Sequence, residues 1–296
     1  MKPTPFDYSA PRSVPEALAL LADEDREPKV VAGGQSLIPM LSMRLARPGL
    51  LVDITRIPGL GELSVDASGA LRVGAAVRQS AAAADPRLRD GWPLLAAAIG
   101  HIGHPQIRAR GTVCGSLVHH DPAAELPTAA VALDARFVIA GPAGERTVGA
   151  EEFFVATFQT AVEPDELLTE VVFPARGGGW AFEELTRRHG DFATVGVAVL
   201  LERSGDEGSG DEGSGDTVRT ARVVFCGVGP TPVRLPAVEA ALTGTDAGPA
   251  ARDAAREAAL AHLAPSDDVH ATAAYRREAA AHLLARACTT AWERTR

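Results

Sequence analysis

The sequence predicts an α+β protein with two domains, on the strength of three observations. The chain has 296 residues, and one domain takes roughly 150 residues. Segments typical of strands and β-hairpins are interspersed with helical segments in its first part. After a predicted linker at 176–179, which holds three glycines, the pattern changes, and Ala-rich helices fill most of the remainder. We therefore expect a first domain at 1–176 and a second at 180–296.

The first predicted elements are a helix and then a strand–glycine turn–strand unit. Ser13 and Glu16 have the spacing of a capping box, in which both side chains satisfy free backbone N–H groups at a helix start. A β-branched run at 29–32 predicts a strand that ends at two glycines. Residues 37–45 are compatible with a helix or a tight turn, and the apolar run 50–54 predicts the next strand.

Four more segments follow within the first domain. Residues 62–76 alternate in polarity around turn residues, which predicts a hairpin. Residues 91–100 predict a helix with a proline in its first turn and Gly100 past its end. After residues 136–140 a second hairpin turns at 141–144, and 167–174 predicts another strand.

In the second domain two strands, at 195–203 and 218–228, flank the run 204–216. That run holds five acidic residues, no basic residue and nothing apolar to bury, so we expect a disordered, solvated loop. Residues 271–294 predict a long amphipathic helix.

Charge and hydropathy exclude several classes of function. The net charge is −9, and the acidic run accounts for five of these charges, so the rest of the chain has no broad basic face for nucleic acid or anionic lipid. No window approaches the roughly 18 consecutive apolar residues of a membrane span. Residues 1–5 lack the apolar core of a signal peptide, and we expect a cytoplasmic protein.

The cysteines and histidines do not indicate a metal centre or a nucleophile. Cys114, Cys226 and Cys288 are far apart, which fits neither a disulfide framework nor a zinc or iron–sulfur site. No G-x-S-x-G motif is present, and Cys114 has no identifiable base partner. We expect no catalytic residue and no metal. A zinc or iron site remains an alternative interpretation of the following residues: His101, His104, His119, His120 and Asp121.

Two glycine-bearing segments are candidates for holding a cofactor. The first, 30–37, only partly resembles a dinucleotide fingerprint, although Asp53 lies 20 residues beyond Gly33. Its tandem glycines suit an anion, because backbone N–H groups approach closely where no Cβ intervenes; an ordinary turn is the alternative. The second, 111–127, concentrates small residues, hydroxyls and carboxylates. As a loop it would take phosphate at Thr112 and Ser116 and cofactor hydroxyls at a carboxylate.

Four motifs together resemble those of a known family: AGGQSLIPM at 32–40, RARGTVCGSL at 108–117, DPAAELP at 121–127 and RRHGDFA at 187–193. In order and spacing they are similar to the FAD subunits of the xanthine dehydrogenase and carbon monoxide dehydrogenase family, over nearly the whole chain. The resemblance implies an FAD-binding domain of the vanillyl-alcohol-oxidase/MurB (PCMH) type, built of two α+β lobes, followed by a smaller α+β domain.

The resemblance also implies which residues contact FAD. They are Ala32, Gly33, Gly34, Gln35, Ser36 and Leu37 at the pyrophosphate; Thr112, Cys114, Gly115 and Ser116 on a second wall; Asp121 and Glu125 among the cofactor hydroxyls; Ile102 and Leu168 as apolar contacts; and Phe192 stacked on the flavin. The chain departs from the family pattern at Cys114, where the family commonly has glycine and a Cβ would crowd a phosphate. Glu125 is often Asp, and Glu183-Glu184 stand where some relatives have a lysine near the flavin.

The activity that the resemblance implies is electron transfer within a molybdenum hydroxylase. A molybdopterin large subunit would oxidise the substrate, a [2Fe–2S] small subunit would pass single electrons, and this chain's FAD would deliver them to an external acceptor. Two alternatives are a self-contained FAD-dependent oxidoreductase of the same fold and a flavin-free interaction module, which Cys114 would favour.

Overall fold

The computed structural model of the chain describes residues 2–204 and 216–295. Before residue 176 its elements are β1 (Asp7–Ser9), α1 (Val14–Leu21), β2 (Pro28–Val31), α2 (Leu37–Ser42), β3 (Leu50–Asp53), β4 (Leu63–Val65), β5 (Leu71–Gly74), α3 (Gln79–Ala84), α4 (Pro86–Gly91), α5 (Pro93–His101), α6 (Pro105–Arg110), α7 (Val113–His119), α8 (Glu125–Ala132), β6 (Arg136–Gly141), β7 (Gly144–Gly149), α9 (Ala150–Phe153), β8 (Phe154–Ala156), β9 (Gln159–Thr160) and β10 (Leu167–Phe173). After it come β11 (Gly179–Leu185), β12 (Val195–Arg203), β13 (Val218–Cys226), β14 (Val233–Arg234), α10 (Pro236–Leu242), α11 (Pro249–His262) and α12 (Ala273–Glu293). In the described residues no helix is long and apolar enough to cross a membrane.

The chain forms two compact units, and each takes up separate stretches of sequence. Unit 1 contains the residues up to 89, 104–120 and 134–175, and unit 2 contains 90–103, 121–133 and the chain from 176 onward. Helices α5 and α8 therefore belong to unit 2, although they precede residue 176.

Unit 1 contains the predicted strand–glycine turn–strand unit and both predicted hairpins. Strands β1, β3 and β2 form a parallel sheet in that order, with Val31 opposite Asp53. A five-stranded antiparallel sheet has the order β4-β5-β10-β6-β7, and β8 pairs with β9. The period-2 pattern of β5 agrees with its burial, since Leu71 and Val73 are fully buried.

The capping box of α1 is confirmed. The Ser13 hydroxyl accepts from the Glu16 N–H at 3.3 Å, and the Glu16 carboxylate accepts from the Arg12 N–H at 2.7 Å. These bonds satisfy N–H groups that have no partner inside the helix, so the local sequence fixes where α1 begins.

Unit 2 contains a four-stranded antiparallel sheet in the order β11-β12-β13-β14. Every residue from Val195 to Leu201 in β12 is buried. One set of alternate side chains packs in a core with α10, α11 and α12. On α8, the Val131 carbonyl accepts a hydrogen bond from Arg222 of β13 at 3.3 Å. Every residue of α8 is itself buried.

The hairpin of β12 and β13 and the long helix α12 are confirmed. Of the predicted acidic loop at 204–216, residues 205–215 lie outside the described residues.

Two local predictions were wrong. Gly100 lies inside α5, which ends at His101, instead of beyond it. Gly179 begins β11, a strand that the sequence pattern did not predict, so only 176–178 remain as a connection. A Cβ on Gly179 would lie 1.8 Å from the carbonyl oxygen of Ala291, so this glycine permits close packing of β11 against α12.

Candidate functional site

The tandem glycines form a half-buried turn directly after β2. Gly34 has φ +71°, a conformation that favours glycine. The Gln35 amide donates to the Gly33 carbonyl at 3.1 Å and so holds the turn from within. Within the described part of the chain, the backbone N–H groups of Gly34, Gln35 and Ser36 donate no hydrogen bond. These donors are therefore available to an acceptor outside the chain.

The second glycine-bearing segment is helical at its centre, so its interpretation as a loop was wrong. The Thr112 hydroxyl accepts from the Gly115 N–H at 3.0 Å and caps α7. Threonine is a favoured N-cap residue, which explains why a helix starts here despite the glycine. A Cβ on Gly115 would lie 2.5 Å from the Thr112 hydroxyl oxygen, so glycine leaves the cap undisturbed. Ser116 is half-buried in the same turn of α7.

The two glycine segments meet in space within unit 1. A Cβ on Gly33 would lie 2.5 Å from the Arg110 carbonyl oxygen and 2.7 Å from Gly111 Cα. Both neighbours are backbone atoms, so the two chain segments approach as closely as glycine allows. The half-buried turn and the start of the second segment thus form one cradle, which we define as residues 33–36 and 110–116.

Sequence reasoning missed two residues that support this cradle. The guanidinium of Arg78 donates to the Arg110 carbonyl. The Gln79 N–H donates to the Gly111 carbonyl at 2.9 Å, and its amide donates to the Thr112 carbonyl at 3.3 Å. Gln79 is only 3% exposed. Nothing in the local pattern marks either residue, because their role lies in contacts with a segment about thirty positions away.

Cys114 does not crowd the cradle with its side chain. Its thiol is buried and donates to the Val73 carbonyl of β5 at 3.5 Å. Burial raises the pKa of the Cys114 thiol well above its ordinary value. The side chain occupies the core of unit 1, whereas Gly115 and Ser116 lie on the half-buried side of α7.

Two further side chains of unit 1, those of Leu168 and Asp53, contact other residues of the protein. Leu168 is buried in β10 opposite Ile139. Asp53 accepts from both the N–H and the hydroxyl of Thr55, and it also accepts from the Tyr8 hydroxyl. These three hydrogen bonds account for the Asp53 carboxylate, which therefore needs no ribose hydroxyl as a partner.

The remaining predicted residues lie in unit 2. Ile102 directly follows α5 and is half-buried. The Asp121 carboxylate accepts from the Ala123 N–H at 2.9 Å in the turn before α8. Phe192 is 65% exposed in the connection between β11 and β12, so its ring is open to a partner.

Glu125, the first residue of α8, is an ionisable group in an unusual environment. It is only 5% exposed, and burial raises its pKa to about 8. The neighbouring carboxylates of Glu184 and Asp121 raise the pKa further, whereas His101 lowers it. Glu125 is therefore largely protonated at neutral pH and can donate a hydrogen bond.

Beside Glu125, two residues form a pair that sequence reasoning did not find. His101 Nδ1 lies 3.1 Å from Glu184 Oε1, and this hydrogen bond raises the pKa of His101. The His101 ring also packs on Phe182 of the same strand, with 5.3 Å between ring centroids. The preceding residue, Glu183, pairs instead with Arg286 of α12 at 3.1 Å. Residues 101 and 184 are distant in sequence, so no local signal reveals the pair.

His119 and His120 contact other residues of unit 1. His120 Nδ1 lies 3.1 Å from the Gln159 carbonyl oxygen, and its ring packs on Phe154. The His119 ring packs on Phe158. Over residues 2–204 and 216–295, no group of three or more His, Cys, Asp or Glu side chains is arranged to hold a metal ion.

We expect the substitution Glu125→Gln to make the chain more stable at alkaline pH. The pKa of Glu125 rises from about 4.5 to about 8 on folding, so its stabilising contribution is complete below pH 4.5 and is lost as the pH rises through 8. Relative to wild type, the free energy of unfolding of the variant should increase by about 2 kcal/mol or more between pH 5 and pH 9. Urea unfolding at both pH values measures this gain. The exposed Glu145→Gln is the control, and an equal gain there would contradict the assignment.

Two family models match consecutive parts of the chain. The model described as the FAD binding domain in molybdopterin dehydrogenase matches residues 4–176. The model described as the CO dehydrogenase flavoprotein C-terminal domain matches residues 180–291.

Similar proteins cover the chain from end to end. The carbon monoxide dehydrogenase medium chain of Hydrogenophaga pseudoflava is 38% identical over 99% of both chains. The nicotine 6-hydroxylase medium subunit of Paenarthrobacter nicotinovorans is 35% identical over 100% of both. Among solved structures, a carbon monoxide dehydrogenase from Hydrogenophaga pseudoflava has a TM-score of 0.93 at 39% identity, with 100% of both chains covered.

Proposed function

Because the chain belongs to the family of FAD-binding medium subunits of molybdenum hydroxylases, we propose that it carries electrons from an iron–sulfur subunit through FAD to an external acceptor. The family is one of oxidoreductases, and FAD is its cofactor. The proposal adds the direction of electron flow and the identity of the partners.

The observation that supports the proposal most strongly is the cradle at 33–36 and 110–116. A diphosphate needs several N–H donors at short range, and Gly34, Gln35 and Ser36 offer donors that are unused within the described residues. The missing Cβ atoms of Gly33 and Gly115 let backbone approach where a side chain would collide. The residues present therefore fit a flavin nucleotide, and the buried Cys114 side chain leaves this fit intact.

We propose that the residues predicted from the sequence hold FAD. They are Ala32, Gly33, Gly34, Gln35, Ser36, Leu37, Ile102, Thr112, Cys114, Gly115, Ser116, Asp121, Glu125, Leu168 and Phe192. Cys114 would contribute through its backbone. Exposed Phe192 would shield the flavin ring by stacking.

The chemistry of the cofactor determines what partners are needed. Bound FAD exchanges single electrons with a metal cluster and electron pairs with an acceptor. The three cysteines of this chain are all buried and dispersed, whereas each cluster requires a set of thiolate ligands. We therefore propose a [2Fe–2S] small subunit and a molybdopterin large subunit as partners. The names "medium chain" and "medium subunit" of the relatives support a multi-subunit complex.

Absorption spectroscopy of the purified chain with added FAD tests the proposal. We expect a protein-bound flavin spectrum that stays oxidised with small organic substrates alone. We expect it to bleach anaerobically when a reduced iron–sulfur subunit is added. Bleaching by a small substrate without partners would instead favour a self-contained oxidoreductase. A chain that stays colourless even in the assembled complex would favour a flavin-free module and contradict the proposal.

A further inference from the structure

A short backbone pairing in unit 1 lies against one half of the cradle. Residues 77–79 run antiparallel to residues 111–113, and each segment donates one backbone hydrogen bond to the other, at 2.9 and 3.0 Å. We call residues 77–79 the clamp. Both segments belong to unit 1, so the clamp is part of the same compact unit as the cradle.

Three consecutive carbonyl groups of the cradle accept hydrogen bonds from the clamp. The Arg110 carbonyl accepts from the guanidinium of Arg78. The Gly111 carbonyl accepts from the Gln79 N–H at 2.9 Å, and the Thr112 carbonyl accepts from the Gln79 side-chain amide at 3.3 Å. Because each of these carbonyl groups is held by the clamp, the orientation of three successive peptide groups is fixed.

The clamp also determines where the backbone donor of Thr112 points. Arg78 and Thr112 lie opposite each other, and the backbone hydrogen bonds form one residue to either side of them. In such a pair of an antiparallel ladder, the N–H groups point away from the partner strand. Over the described part of the chain, the Thr112 N–H donates no hydrogen bond. It is therefore a further donor for an acceptor outside the chain, in addition to those at 34–36.

Arg78 also brings a positive charge to the cradle. Its side chain is half-buried, and among the described residues it bonds to a carbonyl group instead of a carboxylate. Partial burial lowers the pKa of Arg78, the like charge of Arg110 lowers it further, and Asp53 raises it. A guanidinium nevertheless stays protonated in proteins. Two like charges beside unused N–H donors favour an anionic ligand.

We infer that Arg78 is a positioning residue for the diphosphate of FAD: it fixes the Arg110 carbonyl and places a positive charge beside the backbone donors of the cradle. This inference rests on the proposed function. Arg78 acts through the backbone of Arg110 and through its charge, without itself having to touch the cofactor. A diphosphate spreads negative charge over several oxygens, so it is bound best by N–H donors in fixed directions with a cation nearby.

Arg136 supplies a matched control for Arg78. It is an exposed arginine of the same unit at the start of β6, a strand that pairs with β7 and β10. The substitution Arg136→Met therefore removes the same charge from the same unit at an exposed position of the five-stranded sheet. It separates an effect of the position of Arg78 from an effect of net charge.

The test is a fluorescence titration of FAD with the full-length chain and its variants at about 50 and about 500 mM NaCl. We expect Arg78→Met to bind FAD about 10-fold or more weakly at low salt, because a hydrogen bond from a charged group is lost together with the charge. Arg78→Lys keeps a charge and a donor, so it should recover most of the affinity. The affinity of wild type should fall more steeply with salt than that of Arg78→Met, because salt screens the attraction between Arg78 and the diphosphate. Arg136→Met should bind within about twofold of wild type.

The outcomes separate this inference from the proposed function. Thermal unfolding of each chain without FAD shows whether the variants are folded. If Arg78→Met binds FAD as well as wild type, the inference fails, while the proposed function stands. An equal salt dependence of wild type and Arg78→Met, or an equal loss in Arg136→Met, also overturns it. A wild-type chain that binds no FAD in the assembled complex refutes the proposed function and this inference with it. Should Arg78→Met not fold, Arg78→Gln replaces it; a loss of several-fold supports the inference, and unchanged affinity overturns it.

Discussion

Gly33→Ala should abolish most FAD binding, with an affinity about 100-fold below that of wild type. The added Cβ would lie 2.5 Å from the Arg110 carbonyl oxygen and 2.7 Å from Gly111 Cα. Both are backbone atoms that cannot rotate away, so the two halves of the cradle must separate. Overpacking of this kind also costs about 1–3 kcal/mol of stability. Isothermal titration with FAD and urea unfolding measure the two effects.

Gly149→Ala is the matched control for Gly33→Ala in the same unit. Gly149 has φ −74° and ψ 158°, which alanine adopts freely, and its added Cβ would meet nothing within 4 Å. We expect its stability to change by no more than about 0.5 kcal/mol and its FAD affinity to stay the same. If Gly33→Ala behaved like this control, the cradle would have no part in holding the cofactor.

Gly179→Ala should give the largest loss of stability among the glycine substitutions of unit 2. Its Cβ would lie 1.8 Å from the Ala291 carbonyl oxygen and 2.8 Å from the Thr295 backbone nitrogen. Strand β11 cannot then keep its place on α12, and we expect a loss of about 3 kcal/mol or more. Gly177→Ala, where a Cβ meets nothing within 4 Å, should change little.

Tryptophan fluorescence during urea unfolding is a direct readout for Gly179→Ala. All three tryptophans, Trp92, Trp180 and Trp292, lie in unit 2. The Trp180 ring is covered by the guanidinium of Arg294, which lies 3.8 Å from the ring centroid. An unchanged unfolding midpoint would show that β11 and α12 separate without cost, contrary to the packing described above.

Much of the fold was predictable because its signals are local. The capping box at Ser13, the β-branched run before Gly33 and the turn residues of two hairpins each specify structure through neighbours a few residues away. Strand β11 was missed for the opposite reason. Gly179 looks like part of a flexible linker in the sequence, but its lack of a side chain serves a contact with Ala291, more than a hundred residues later.

Some parts of the candidate site were likewise predictable from the sequence, and others were not. The two glycine segments were predictable as places where a cofactor approaches backbone, and the structure brings them together at Arg110 and Gly111. Whether they bind FAD stays a prediction. The supports of the cradle and the His101–Glu184 pair were not predictable, because single side chains reach distant segments without any periodic pattern.

Unit 2 contains separate stretches of sequence, and this affects how the protein folds during synthesis. Every residue of α8 is buried, and this helix packs on β12 and β13, which are translated much later. At about 5–20 residues per second, α8 leaves the ribosome several seconds before those strands exist. A nascent chain that stops at residue 176 therefore exposes the apolar helix α8 without the sheet that covers it. We expect such truncated chains to depend on chaperones, whereas in the complete chain β12 and β13 cover α8.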